Sequence, residues 1–77
     1  NEEFADAYVF LAKAYMDSGE DLNEAIKLVM KGLNQKPELK TTIFGHFILA
    51  DIYNRLRRYE ESQRHVVIAK ELQKSIK

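Results

Sequence analysis

The chain is expected to fold as an all-α protein, two antiparallel helix-turn-helix hairpins making four helices, and three observations predict this. Apolar and small residues recur at the i, i+3, i+4, i+7 spacing that places side chains on one helical face in four separate stretches. The breaks between those stretches carry turn and stop chemistry at Ser18-Gly19, at Asn34-Gln35-Lys36-Pro37 and at Arg57-Arg58. The second half also repeats the first: Tyr8, Leu11, Ala12 and Tyr15 return as His46, Leu49, Ala50 and Tyr53.

The first helix is expected from about Glu3 to Asp17, with Glu2, Glu3 and Asp6 favourably placed at its positive N-terminal end. Ser18-Gly19 ends it. Asp21 then reads as an N-cap, and Glu24, three residues on, completes a capping-box arrangement for the second helix. That helix carries Ala25, Val29, Gly32 and Leu33 on one face and continues to about Asn34, before the Pro37 stop. Gly32 costs about 1 kcal/mol relative to Ala in a helix interior, so it marks either a close contact with another helix or a fraying end. The third helix begins between Glu38 and Ile43 and runs to about Arg55 or Leu56. It is apolar nearly all the way round, which suits a central helix packed between the second and the fourth. The fourth helix is expected from about Tyr59 to the end of the sequence, with Glu60 four residues before Arg64. Its wide stripe of Val66, Val67, Ile68, Ala69, Leu72 and Ile76 is expected to lie partly uncovered.

A chain of 77 residues makes one small domain, burying only about 60–65% of the surface it exposes when unfolded. The balance of 45% apolar and 31% charged residues is that of a globular protein, and one Pro with three Gly excludes a linker or low-complexity segment. No cysteine is present, so disulfides, thiolate metal sites and thiol nucleophiles are excluded; this also fits a reducing, cytoplasmic setting. No apolar run approaches the ~20 residues that span a bilayer, so membrane insertion is not expected. The first residue is Asn rather than Met, as expected of a piece of something longer. Net charge is zero but unevenly placed: residues 1–24 hold seven acids against Lys13 alone, whereas residues 55–77 hold four Arg and three Lys against three Glu. Two solvated ends, or head-to-tail complementarity between units, would each account for this.

The residues quoted resemble a pair of tetratricopeptide repeats, whose pattern is aromatic, leucine, small residue, tyrosine, alanine, aromatic, proline. Tyr8, Leu11, Ala12, Tyr15, Ala25, Val29, Gly32 and Pro37 carry it in the first copy, about 5–39. His46, Leu49, Ala50, Tyr53, Tyr59, Ser62, Val66 and Ala69 carry it in the second, about 43–76. Tyr15 and Tyr53 are 38 residues apart, against about 34 for the family repeat, so the helices match while the turns are longer. The resemblance implies a short right-handed superhelical array and a non-catalytic scaffold, without cofactor, that holds a peptide or a partner's helix against the concave face of its first and third helices. The residues it places there are Asp6, Val9, Lys13, Met16 and Asp17 on the first helix and Phe44, Phe47, Asp51, Asn54 and Arg55 on the third. The lysine and asparagine with which some members capture acidic C-termini are missing, because Val9 and Lys13 stand in their places. Phe44 and Phe47 would then favour an apolar partner, or would pack against the first helix instead. The alternative to peptide recognition is self-association, as a homodimer or as a link in a longer array, through Val67, Leu72 and Ile76 on the last helix.

Other chemistry finds no pattern. Neither His46 nor His65 has a carboxylate or second His three or four residues after it; His46 reads as a packing residue and His65 as a surface one. Ser18, Ser62 and Ser75 have no strand-turn-helix context, no Gly-rich phosphate loop exists, and the carboxylates are scattered. Arg55, Arg57, Arg58, Arg64 and His65, with Tyr53 and Tyr59 nearby, have the composition of a phosphate or nucleic-acid patch. Asp51, Glu60 and Glu61 neutralise them, and zero net charge argues against nucleic acid.

Overall fold

The computed structural model describes residues 2–76, with side chains from residue 4 onward. Four helices follow one another: α1 (Glu2–Ser18), α2 (Leu22–Asn34), α3 (Leu39–Arg55) and α4 (Tyr59–Gln73). No strand occurs among the described residues. The fold is all-α, as expected. The side chains of Glu2 and Glu3, expected to favour the start of α1, lie outside the described residues.

Each helix ends for a local reason. At the end of α1, the Gly19 N–H bonds to the Met16 carbonyl at 3.2 Å and the Glu20 N–H to the Tyr15 carbonyl at 3.1 Å. This paired closure needs a left-handed residue, and Gly19 supplies it at φ +75°. The α3–α4 turn closes identically, Arg57 to Asn54 at 3.0 Å and Arg58 to Tyr53 at 2.8 Å, but the left-handed position is Arg57, at φ +63°. Asp21 caps α2 by accepting from the backbone N–H of Asn23 at 3.0 Å and of Glu24 at 3.3 Å. Lys36, at φ +53°, and Pro37 end α2. Glu38 then caps α3 without a side-chain bond, so Pro37 precedes that helix rather than opening it.

The core is continuous through α1, α2 and α3. Val9, Ala12 and Met16 meet Ala25, Leu28 and Val29, and both groups meet Ile48, Leu49, Ile52 and Tyr53. Helix α3 packs on all three others, whereas α4 packs on α3 alone. The α1–α2 crossing is close because Gly32 is buried there: a Cβ at that position would stand 2.9 Å from Val9 Cγ2 and 3.0 Å from the Ala5 carbonyl oxygen. Of the two readings of Gly32, close contact is the one observed. The α3–α4 crossing is pinned by the half-buried Ser62 hydroxyl, which donates to the Ala50 carbonyl at 2.7 Å.

One expectation is corrected. The buried stripe of α1 is Ala5, Val9, Ala12 and Met16, while Tyr8 and Tyr15 flank it and Leu11 stays 46% exposed. The equivalent Leu49 in α3 is fully buried, because α3 has a hairpin in front of it and α1 has none. Helix α4, expected to leave part of its apolar stripe uncovered, does so: Ala69 turns inward with half-buried Ser62, Val66 and Leu72, while Val67 and Ile68 are exposed. It exposes Glu60, Gln63, Arg64, Lys70, Glu71 and Lys74, interrupted by Val67 and Ile68.

Candidate functional site

Because α3 packs on three other helices, it is fully exposed only at Lys40, Asp51, Asn54 and Arg55, and half-buried Phe44 and Phe47 continue that strip. Alongside runs the α1 strip of Asp6, Phe10, Lys13 and Asp17, spaced 4, 3, 4, one helical row. Together they make one two-helix face. At one end the Thr41 hydroxyl donates to the Asp6 carboxylate at 2.6 Å. In the middle the Phe10 and Phe44 rings lie tilted with centroids 5.6 Å apart. At the other end Arg55 Nη1 donates to the Met16 carbonyl at 3.1 Å, adding a cationic donor to the C-terminal end of α1.

A shallow hollow opens on this face, lined by Val9, Phe10, Lys40, Thr41 and Phe44. Its rim is mostly apolar, with one ammonium and one hydroxyl. The charges farther along are paired within their own helices, Lys13 with Asp17 at 2.7 Å and Arg55 with Asp51 at 3.2 Å. These exposed pairs contribute little to stability. They do leave the face without an unmatched cationic cluster for an acidic ligand.

The predicted peptide-binding residues divide accordingly. Lys13, Phe44, Phe47, Asp51, Asn54 and Arg55 lie on the two-helix face. Val9 is fully buried and Met16 is 4% exposed; both belong to the core, and Val9 only floors the hollow. They sit one residue back from the exposed row, and a step of 100° carries them underneath it. Phe10, 60% exposed, is the residue the sequence reading missed. Its signal was present, since it stands four after Asp6 and three before Lys13. On the other predicted surface, Val67 is 48% exposed, Leu72 is half-buried, and Ile76, beyond the end of α4, is 43% exposed. A second hollow there is lined by Glu60, Gln63, Arg64, Val67 and Ile68.

The two histidines meet across the α3–α4 crossing. Their Nδ1 atoms are 2.9 Å apart and their rings stack with centroids at 5.1 Å. Tyr53 stacks on His65 at 5.6 Å, and the Arg58 guanidinium lies 4.9 Å from the Tyr53 centroid. His65, expected at the surface, is therefore half-buried. Burial lowers both imidazoles from their ordinary value of 6.5; the charge of His65 lowers His46 further, while Glu61 raises and Arg64 lowers His65. A neutral pair, one ring donating and the other accepting, suits this geometry; two imidazolium rings would set N–H against N–H. Among the described residues no group of three or more His, Asp or Glu side chains gathers to hold a metal ion, and no helix is long and apolar enough to cross a membrane.

Comparisons with protein-family models, curated proteins and solved structures find no match to this chain.

Proposed function

We propose that this chain is a non-catalytic protein-binding module, a pair of tetratricopeptide-like hairpins whose α1–α3 face receives an apolar peptide segment. The observation that carries the reading is the Phe10–Phe44 pair beside its hollow. An aromatic 60% exposed on a helical row facing a neighbouring helix is available contact area; the Lys40 ammonium can hold a peptide carbonyl or carboxylate, and the Thr41 oxygen, its proton given to Asp6, can accept from a peptide N–H. Short apolar segments with one polar anchor fit this lining better than acidic ones, since the nearby Lys13 and Arg55 already face Asp17 and Asp51. A face this small supports binding of about micromolar affinity or weaker, because association entropy must be met by few contacts.

Selection from a random peptide library on immobilised protein tests this. Enriched peptides should share an apolar anchor, and their affinity should fall about tenfold or more, roughly 1.4 kcal/mol, for Phe44→Asp and for Lys13→Glu, with far-ultraviolet circular dichroism unchanged. Peptides that bind both variants as tightly as the parent protein would refute the reading. Arg55 is a poorer test position, because its bond to the Met16 carbonyl helps hold α1 against α3.

A second reading, self-association through α4, is favoured by the exposure of Val67 and Ile76 and weakened by the charges around them. Sedimentation equilibrium of Val67→Glu and Ile76→Glu decides it: a dimer that survives both substitutions does not use this surface.

A further inference from the structure

Five side chains carry an aliphatic hydroxyl: Ser18, Thr41, Thr42, Ser62 and Ser75. The fold occupies three of them. Thr41 donates to Asp6, half-buried Thr42 bonds back to the carbonyls before it, and half-buried Ser62 donates to Ala50 across the α3–α4 crossing. Ser75 is exposed, with Lys74 before it and Ile76 and Lys77 after it. Ser18 differs from the other four. It is exposed as the last residue of α1, and Glu20 and Asp21 follow it two and three residues on, whereas none of the others has an acid within the next three positions.

These two acids are open to another molecule. Glu20 is exposed and has no ion-pair partner among the described residues; Asp21 is exposed and uses only Oδ1 to cap α2. Asp17, paired with Lys13, is not needed. The backbone from Gly19 to Asp21 is already non-helical, so an extended segment through Ser18 requires only the last turn of α1 to open. An arginine reaches the same turn from α3. The Ser18 hydroxyl donates to the Tyr15 carbonyl at 3.0 Å, and Arg55 Nη1 donates to the Met16 carbonyl at 3.1 Å. Successive carbonyl oxygens of a helix lie about 3–4 Å apart, given its rise and rotation per residue, so hydroxyl and guanidinium meet neighbouring acceptors.

We propose that Ser18 is a phosphorylation site for an acid-directed serine kinase, and that Arg55 receives the phosphate. In the transfer Ser18 Oγ attacks the γ-phosphorus of ATP. The Oγ–P bond forms, the bond from that phosphorus to the β,γ-bridging oxygen breaks, ADP leaves with the electron pair, and the hydroxyl proton passes to the kinase's base. The product places about two negative charges at the negative end of α1, beside Asp17 and Asp21, which alone would weaken the turn. Arg55 offsets this, because its planar fork makes charge-assisted bonds to phosphate oxygens that are stronger than its present bond to a neutral carbonyl. The move takes Arg55 from Asp51, its exposed partner at 3.2 Å. A carboxylate is then left unpaired on the α1–α3 face, whatever that face binds.

The whole protein incubated with ATP and casein kinase II, followed by tandem mass spectrometry, tests the site. One phosphate is expected on Ser18, and none in Ser18→Ala. Asp21→Asn should slow the reaction about tenfold or more through loss of one charge-assisted contact, with circular dichroism unchanged because Asn caps a helix as well as Asp does. No phosphate, phosphate on another hydroxyl, or an Asp21→Asn rate equal to the parent's overturns the proposal. Phosphorus NMR of the phosphorylated protein against pH tests the receiver. The second ionisation of the phosphate, ordinarily about 6, should fall about half a pH unit or more lower in the parent than in Arg55→Gln. It should fall lower still in Asp51→Asn, which frees Arg55 without removing it. Equal midpoints in the parent and both variants overturn the role of Arg55.

Discussion

Replacing Gly32 by Ala sets two effects of known sign against each other. Helical propensity alone would favour Ala by about 1 kcal/mol. The added Cβ would stand 2.9 Å from Val9 Cγ2, 3.0 Å from the Ala5 carbonyl oxygen and 3.2 Å from Tyr8 Cβ. Val9 is fully buried and Ala5 contributes backbone, so neither can swing aside and α1 must move away from α2. Overpacking costs about 1–3 kcal/mol, and with two contacts that cannot yield, the upper part of that range, about 2–3 kcal/mol, applies, leaving a net loss of about 1–2 kcal/mol once the propensity gain of about 1 kcal/mol is subtracted. Gly45→Ala is the matched control. Its Cβ would crowd the end of the half-buried Leu33 side chain, Cδ2 at 3.0 Å, and stand at ordinary contact distance from Val29 Cγ1, 3.6 Å; the leucine can rotate, so propensity offsets the crowding and the change should fall within about 0.5 kcal/mol of zero. Urea denaturation reads both. With a slope near 1 kcal/mol per molar, Gly32→Ala should lower the midpoint by about 1–2 M and Gly45→Ala should barely move it. A Gly32→Ala protein as stable as the parent, or a Gly45→Ala protein equally weakened, would show that helix approach is not why glycine stands at position 32.

Three further outcomes are expected. Leu49→Ala should cost about 2–5 kcal/mol and its counterpart Leu11→Ala under about 1 kcal/mol in the same denaturation assay; comparable losses would contradict the exposed α1 stripe. Arg57→Gly should raise stability by about 0.5–1 kcal/mol, because relief of the left-handed strain outweighs the entropy Gly adds to the unfolded chain, and calorimetry should show a higher Tm. Because burial lowers both imidazoles, the unfolded chain binds more protons near their ordinary value of 6.5. The contribution of the neutral pair is therefore complete above that pH and is lost as pH falls through the lower folded-state values. Urea midpoints compared at about pH 7.5 and about pH 5.5 should differ less in His65→Gln than in the parent, and an unchanged difference would remove the pair from the pH response.

The ends of the helices were legible because they are written locally. Asp21 caps the helix that follows it, Gly19 supplies the left-handed turn, and α3 could be recognised as central because a strongly apolar helix needs several neighbours. What failed depended on neighbours. The repeat pattern of Tyr8, Leu11 and Tyr15 assumes a helix in front of it, and α1 has none, so the buried row shifted to Ala5, Val9, Ala12 and Met16. The candidate face followed the same shift, losing Val9 and Met16 to the core and gaining Phe10. The histidine pair was invisible to a rule confined to i+3 and i+4, because residues 46 and 65 meet only when α4 folds back on α3. His65 nevertheless sits three after Ser62 and four before Ala69, on the inward row, and that spacing marked it.

No residue of α4 belongs to the buried cluster that α1, α2 and α3 share, and α4 touches α3 alone. Helix α4 is therefore held by one neighbour only, across the broad α3–α4 crossing. Loss of α4 would uncover the Ala50 carbonyl, His46 and the Tyr53 ring, while Val9, Ala12, Ala25 and Val29 keep their partners. Native-state amide exchange should follow that seam, with α4 amides exchanging through a smaller opening than those of α1–α3. Proteolytic nicking should begin at the Leu56–Arg58 turn.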